Sequence, residues 1–166
     1  MALHGISGLV GKLVTQLEVN CDADEFYKIW KHHEEVPKAV SHLLPAVKVV
    51  KGDGLVSGCI KEWHYILEGK AMSAMEETTH NDETRTLHHQ VVEGELMKDY
   101  KAIASIIEVN PNPNGHGSIV TWSIEYEKMN EDSPTPFAYL EFFHQNIIDM
   151  NSHLYVGSDS HLHVDE

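Results

Sequence analysis

Only two cysteines, Cys21 and Cys59, and a single arginine, Arg85, occur in the 166 residues. Two thiols so far apart make neither a disulfide framework nor the paired spacing of a zinc site, so reduced cysteines are expected. Basic residues are scarce in general: 12 Lys plus Arg stand against 26 acidic residues, a formal charge of −14. So acidic a surface excludes a phosphate-tracking groove, and nucleic acid is not an expected partner. It also repels anionic membranes while attracting cationic amines at long range. No stretch is apolar for the length of a membrane span, and the opening MALHGISGLVGKL lacks a basic start, a continuous apolar run and a cleavage pattern. The expectation is a cytosolic protein with no membrane association. Thirteen histidines suggest metal, yet HExxH, a helical HxxxH and paired CxxC are all missing, so no metal and no cofactor is expected. The glycine-rich KGDGLVSGCIK lacks the GxxxxGK[ST] spacing and leads into a strand pattern, which removes the helix N-terminus a phosphate would need.

What is present is a long series of short alternating segments between about Ala46 and Glu127, closed by one amphipathic segment, Thr135 to Tyr155. Turn chemistry punctuates the series at KGDG, LEGK, HNDET, VEGE and NPNPNGHG, leaving room for six strands. A seventh is predicted at Gly11 to Asn20. Between it and the series lie two short helices, one capped by Asp22 or Asp24 and one running from Val36 to about Leu44, where Pro45 ends it. The fold class is α+β, a seven-stranded curved antiparallel sheet wrapped around a long C-terminal helix. That helix is expected to have Thr135 as its cap and Pro136 as its first residue. Residues 1–156 read as one domain and 157–166 as a flexible tail without apolar periodicity.

On a 3.6-residue wheel Tyr139, Leu140, Phe143, Ile147, Ile148, Met150 and Leu154 share a broad face that also holds His144 and Asn151. A helix laid across a curved sheet either fills the concave side or leaves a hollow, and a hollow lined by aromatics is a ligand site. Strand parity aims Leu87 and His89 inward together, as it does Trp63 with Tyr65 and Trp122 with Tyr126. The expected ligand-binding lining is Phe26, Trp30, Trp63, Tyr65, Met72, Leu87, His89 and Ile103, with Trp122, Tyr139, Leu140, Phe143, His144 and Ile147; Met75 is a further filler. A buried histidine either satisfies a hydrogen bond or accepts a proton near neutral pH, and His89 is the candidate catalytic base. Planar ligands suit such walls, and a protonated amine gains cation–π attraction of about 0.5–2 kcal/mol. An exposed Cys59 would join two chains under oxidising conditions, giving a homodimer.

The stretches GLVGKLVTQLEVNCDAD, KGDGLVSG, SGCIKEW, VVEGE, SIEYEK and PTPFAYLEFFHQNI resemble the major latex protein branch of the Bet v 1-like superfamily, with the class-ten pathogenesis-related proteins, over residues 5–155. MALHGISGLVGKL, EETTHNDETRTL, NEDSPTPF and FFHQN resemble the opium poppy latex subgroup that includes thebaine synthase. The resemblance implies the helix-grip fold and an interior cavity. It also implies a binder of benzylisoquinoline or morphinan alkaloids, for storage, transport or sequestration in the latex cytosol. The alternatives it leaves open are a thebaine-synthase-like carbon–oxygen lyase that eliminates acetate, and a defence-related binder of plant hormones or lipids. For the lyase, Glu77, Tyr100 and His144 stand behind His89 as bases. Norcoclaurine synthase, a relative, uses an interior lysine in a late strand; Ser118 to Glu127 has none and shows Thr121, Trp122 and Ser123 instead, so amine–aldehyde condensation by that route is not expected.

Overall fold

The computed structural model describes residues 8–164, with side chains described as far as Tyr155. The chain runs β1 (Val10–Val19), α1 (Ala23–Lys31), α2 (Val36–Ala39), β2 (Ala46–Lys51), β3 (Cys59–Leu67), β4 (Lys70–Asn81) and β5 (Thr86–Gly94). A 3₁₀ turn (Glu95–Lys98) leads to β6 (Tyr100–Pro111), β7 (Ser118–Lys128) and α3 (Phe137–Val164). Seven antiparallel strands form one sheet in the order β1-β7-β6-β5-β4-β3-β2. Irregular registers at Val49/Lys51, Met75/Glu76 and Tyr100/Ala102 sharpen its twist, so the sheet curls around α3.

Local chemistry accounts for the element boundaries. Asp22 caps α1, its carboxylate accepting from Asp24 N at 3.2 Å, and Glu25 adds acid to the first turn. The LEGK turn is a two-residue hairpin in which both Glu68 (φ 51°) and Gly69 (φ 77°) are left-handed, the arrangement that matches strand twist. In the glycine-rich loop, Asp53 Oδ1 accepts from the amides of Leu55 (3.0 Å) and Val56 (2.8 Å), so the loop supplies its own anion.

Four boundaries differ from the sequence reading. α2 stops at Ala39 because Val40 leaves helical dihedrals to seat a fully buried side chain, and its carbonyl then takes the Leu43 and Leu44 amides in turns. VEGE is not a tight hairpin; the 3₁₀ turn follows it and buries Leu96, which a two-residue turn would expose. α3 begins at Phe137, and Pro136, whose carbonyl accepts from Leu140 N at 3.1 Å, holds the cap position instead of Thr135. α3 also runs to Val164, past the Val156 boundary drawn for the tail: once a helix is nucleated, adding residues costs little.

The core lies between α3 and the concave face of the sheet. Inward-facing Phe26, Leu87, Ile107, Val109, Val120, Ile147 and Met150 are all fully buried. Three polar ties fasten α3 between its second turn and its middle: Thr15 Oγ1 to His144 Nδ1 (2.6 Å), His42 Nε2 to Asp149 Oδ2 (2.6 Å) and Asn20 N to Asn151 Oδ1 (2.8 Å). The wheel is centred one residue off: Phe142 and Asn146 are buried, whereas Ile148 is 38% exposed.

Gly117 closes the β6–β7 hairpin at φ 84°, and a Cβ there would be driven into the Val19 carbonyl. Gly117→Ala is expected to cost about 2–4 kcal/mol, from left-handed strain plus the clash, read as a lower urea midpoint. An unchanged midpoint would mean that the turn relaxes away from β1.

Candidate ligand site

The interior hollow is bounded by α1, the inner faces of β3 to β7, the Leu96 turn and one face of α3. Its walls are aromatic. Phe143 stacks on Trp122 (centroids 4.4 Å apart, planes 8° from parallel), and Trp122 meets Trp30 edge-on at 5.1 Å. Tyr65 sits between Tyr139 (5.8 Å) and Phe142 (5.7 Å). All three tryptophans of the chain line the hollow, and their indole N–H groups are buried without a hydrogen-bond partner among the described residues. Donors of that kind are normally paired. The free volume is 70 Å³, enough for roughly five waters and well short of the space a drug-sized molecule fills.

Of the residues singled out from sequence, Trp30, Trp63, Tyr65, His89, Ile103, Trp122, Tyr139 and Phe143 converge on this hollow. Phe26 and Ile147 do not: both are fully buried core, Phe26 beneath Trp30 at 6.4 Å. Leu87 is fully buried under the glycine-rich loop. Met72 borders a separate outer hollow, Met75 lies on the opposite parity, Leu140 packs on the flank of the core, and His144 is engaged with Thr15.

The ionisable group that the sequence reading missed is Glu76. It lines the hollow, its side chain is 18% exposed, and no hydrogen bond reaches it among the described residues. His89 Nδ1 is 3.7 Å from Oε1, and Lys61 is its partner in the β3–β4 register. Burial pushes the Glu76 carboxyl up to about 7, against an opposing pull from Lys61. Parity contained the signal, because Ala74, Glu76 and Thr78 share a face of β4; Glu77, the acid named from sequence, is exposed on the other.

His89 itself is 5% exposed, and its Nδ1 is 3.0 Å from Thr78 Oγ1. Burial first, and the Lys61 charge second, push the imidazole down to about 3. It therefore stays neutral at physiological pH and is a weaker proton acceptor than a free imidazole, which counts against the base role expected of it from sequence. Tyr100 faces the outer hollow, donates to Pro134 O at 2.5 Å and is pushed up to about 12, so it does not replace His89. Lys61 is 1% exposed and donates to Lys31 O at the end of α1 (3.5 Å), where the helix dipole favours a cation.

These two shifts have opposite consequences for stability. Folded Glu76 holds a proton from its ordinary 4.5 up to about 7, so its contribution is full at low pH and is lost as pH rises through that window. Folded His89 refuses a proton that the unfolded chain takes below 6.5, so stability from this source falls on acidification. Glu76→Gln removes only the first effect. The stability of the variant relative to the unaltered protein should rise by roughly 1.4 kcal/mol per pH unit between pH 4.5 and 7. Urea unfolding at several pH values measures this; a flat difference would contradict the assignment.

Cys59 is 5% exposed, which puts a disulfide to a second chain out of reach without opening the end of β3. Cys21 lies 3.6 Å from Glu25 Oε2, and burial with that carboxylate pushes its thiol up to about 12, so Cys21 is not an activated nucleophile. No group of three or more potential metal ligands occurs among the described residues. No helix among them is long and apolar enough to cross a membrane.

The model of the Pathogenesis-related protein Bet v 1 family matches residues 8–156. The chain belongs to the Bet v 1 family. Within it, Major latex protein 146 of Papaver somniferum is 60% identical over 91% of this chain and 95% of its own length. Among solved Bet v 1-family structures, ginseng major latex-like protein 151 from Panax ginseng superposes with a TM-score of 0.82 at 31% identity, covering 87% of this chain and 97% of that one. A Thalictrum norcoclaurine synthase point mutant, in complex with a transition state analogue, shares the Bet v 1 fold at 20% identity and a TM-score of 0.67, over 91% and 97% of the two chains. The Bet v 1 and major latex protein fold is one that binds small hydrophobic ligands.

Proposed function

We propose that the protein binds small, apolar, weakly basic polycyclic molecules, of the benzylisoquinoline and morphinan alkaloid class, in the hollow between α3 and the sheet. The observation that carries this reading is Glu76, a carboxyl without a hydrogen-bonded partner set within an aromatic wall. An ammonium placed there gains a charge-assisted hydrogen bond and the faces of the surrounding rings. Ether and methoxy oxygens on such ligands are acceptors suited to the three indole donors once the rings part around them. The role is storage, transport or sequestration in the cytosol of latex, a setting supported by the poppy relatives being named major latex proteins.

Intrinsic tryptophan fluorescence tests the reading, because every tryptophan borders the hollow. Thebaine should give saturable quenching at micromolar concentration. Abscisic acid, a carboxylate-bearing hormone, should give little because it would face Glu76. Silence toward alkaloids with a response to the hormone would replace this reading with the defence-related one.

One observation favours a second reading, the thebaine-synthase-like lyase. A carboxyl titrating near 7 is matched to taking a proton as an oxygen closes a ring and acetate departs. Product formation from a morphinan acetate ester, compared with buffer alone, separates the two: a rate equal to buffer leaves a binding protein.

A further inference from the structure

We propose that Tyr65 and Tyr139 form a hydrogen-bonded gate between two adjoining hollows, so that a ligand is taken up in two steps. The proposal rests on the reading that the interior hollow binds ligand, and adds how it is reached. Beside the 70 Å³ cavity lies an outer hollow of 520 Å³, between the β3–β4 turn, the 3₁₀ turn and the start of α3. The outer space is large enough for a polycyclic molecule and the inner one is not.

Two residues, Leu96 and Tyr139, belong to both walls. Leu96 comes from the turn after β5 and Tyr139 from the first turn of α3, so the partition joins the two rims across the opening. Tyr139 is fastened there by its hydroxyl, 2.6 Å from that of Tyr65, which lines the inner hollow and rests on Phe142. Strand parity sets the order of layers. Tyr65 pairs with Met72 across β3 and β4, and Leu67 with Lys70 beyond them; Met72 and Leu67 already line the outer space. A molecule passing from Met72 toward Ala74 must displace the Tyr139 ring, and the hydroxyl pair is the bond that resists. Around the outer hollow three carboxylates, Glu68, Glu95 and Asp99, outnumber Lys70 and Lys98, which favours the arrival of a cation.

The positions of the tryptophans separate the two steps. None of them borders the outer hollow, so docking there leaves fluorescence unchanged and only passage inward quenches it. In stopped-flow mixing with thebaine, the observed quenching rate should rise with concentration and level off at the rate of gate opening. Tyr65→Phe and Tyr139→Phe keep the rings and remove the bond; each should raise that plateau about 3–10-fold, the span that corresponds to one neutral hydrogen bond. The double variant should be no faster than either single one, since all three lack the same bond. Far-UV circular dichroism and a urea midpoint establish that each variant is folded. A plateau unchanged in both single variants, a double variant that multiplies the two effects, or a rate linear in thebaine to the limit of solubility would overturn the gate while leaving interior binding intact. No quenching in the unaltered protein would overturn the binding reading and the gate with it.

Discussion

Glu76→Gln is expected to weaken thebaine binding about 10–100-fold at pH 8 and to abolish its pH dependence. The magnitude follows from the bond lost: a charge-assisted hydrogen bond contributes about 1.5–3 kcal/mol, and roughly 1.4 kcal/mol is a factor of ten. The pH dependence follows from the carboxyl itself, which burial holds up at about 7. Below that value Glu76 is protonated and offers an ammonium no counter-charge; above it the carboxylate is formed, so affinity should climb with pH until the amine loses its own proton. Gln keeps the shape and hydrogen-bonding capacity without the titration, and its profile across pH 5.5 to 8 should be flat. Because the variant also relieves a buried charge, it is not expected to unfold, and weaker binding cannot be ascribed to loss of structure. Titration calorimetry at four pH values decides it: a slope that survives in the variant would assign the pH-sensing group elsewhere.

Phe143→Ala is expected to cost about 2–4 kcal/mol of stability, below the usual range for a buried phenylalanine because the ring is only half-buried. The ring stacked on Trp122 occupies space a polycyclic ligand would need, since 70 Å³ does not admit one. Removing it should therefore lower the urea midpoint and at the same time tighten thebaine binding about tenfold, as the ligand takes over the stacking on Trp122 without first displacing a side chain. If stability falls and affinity falls with it, Phe143 is a wall that the ligand stacks against, and the cavity must expand elsewhere.

Most of the architecture was legible because its causes are local. Alternation over Leu13, Thr15, Leu17 and Val19, the Glu68-Gly69 turn and the Asp22 cap are written within a few residues of where they act. Parity correctly turned Leu87 and His89 inward. The choice between Glu76 and Glu77 was harder, because Met72 and Met75 sit on opposite parities and blur which face of β4 is apolar; the register irregularity at Met75/Glu76 lies at the same place. The wheel for α3 was displaced by one position, taking in Ile148 and passing over Phe142, since a curved sheet meets a helix along a path that period alone does not specify. Least legible was the difference between core and cavity. Phe26, Leu87 and Ile147 face inward as surely as Trp63 does, and whether an inward residue touches a neighbour or a void depends on the summed volume of side chains distant in sequence.

Among the described residues, one hydroxyl bond, Tyr65 to Tyr139, holds the start of α3, whereas three polar ties follow one another at His144, Asp149 and Asn151; the turns before His144 border the two hollows. Room for a ligand is therefore gained at one end of the helix. On the proposed binding, the leading turns lift on the stretch fastened at His144 to Asn151 as on a pivot, and the strand registers beneath need not slip. Capacity on that reading is adjustable without being diffuse, since one hydroxyl bond guards the start of α3 and three ties guard the stretch behind it.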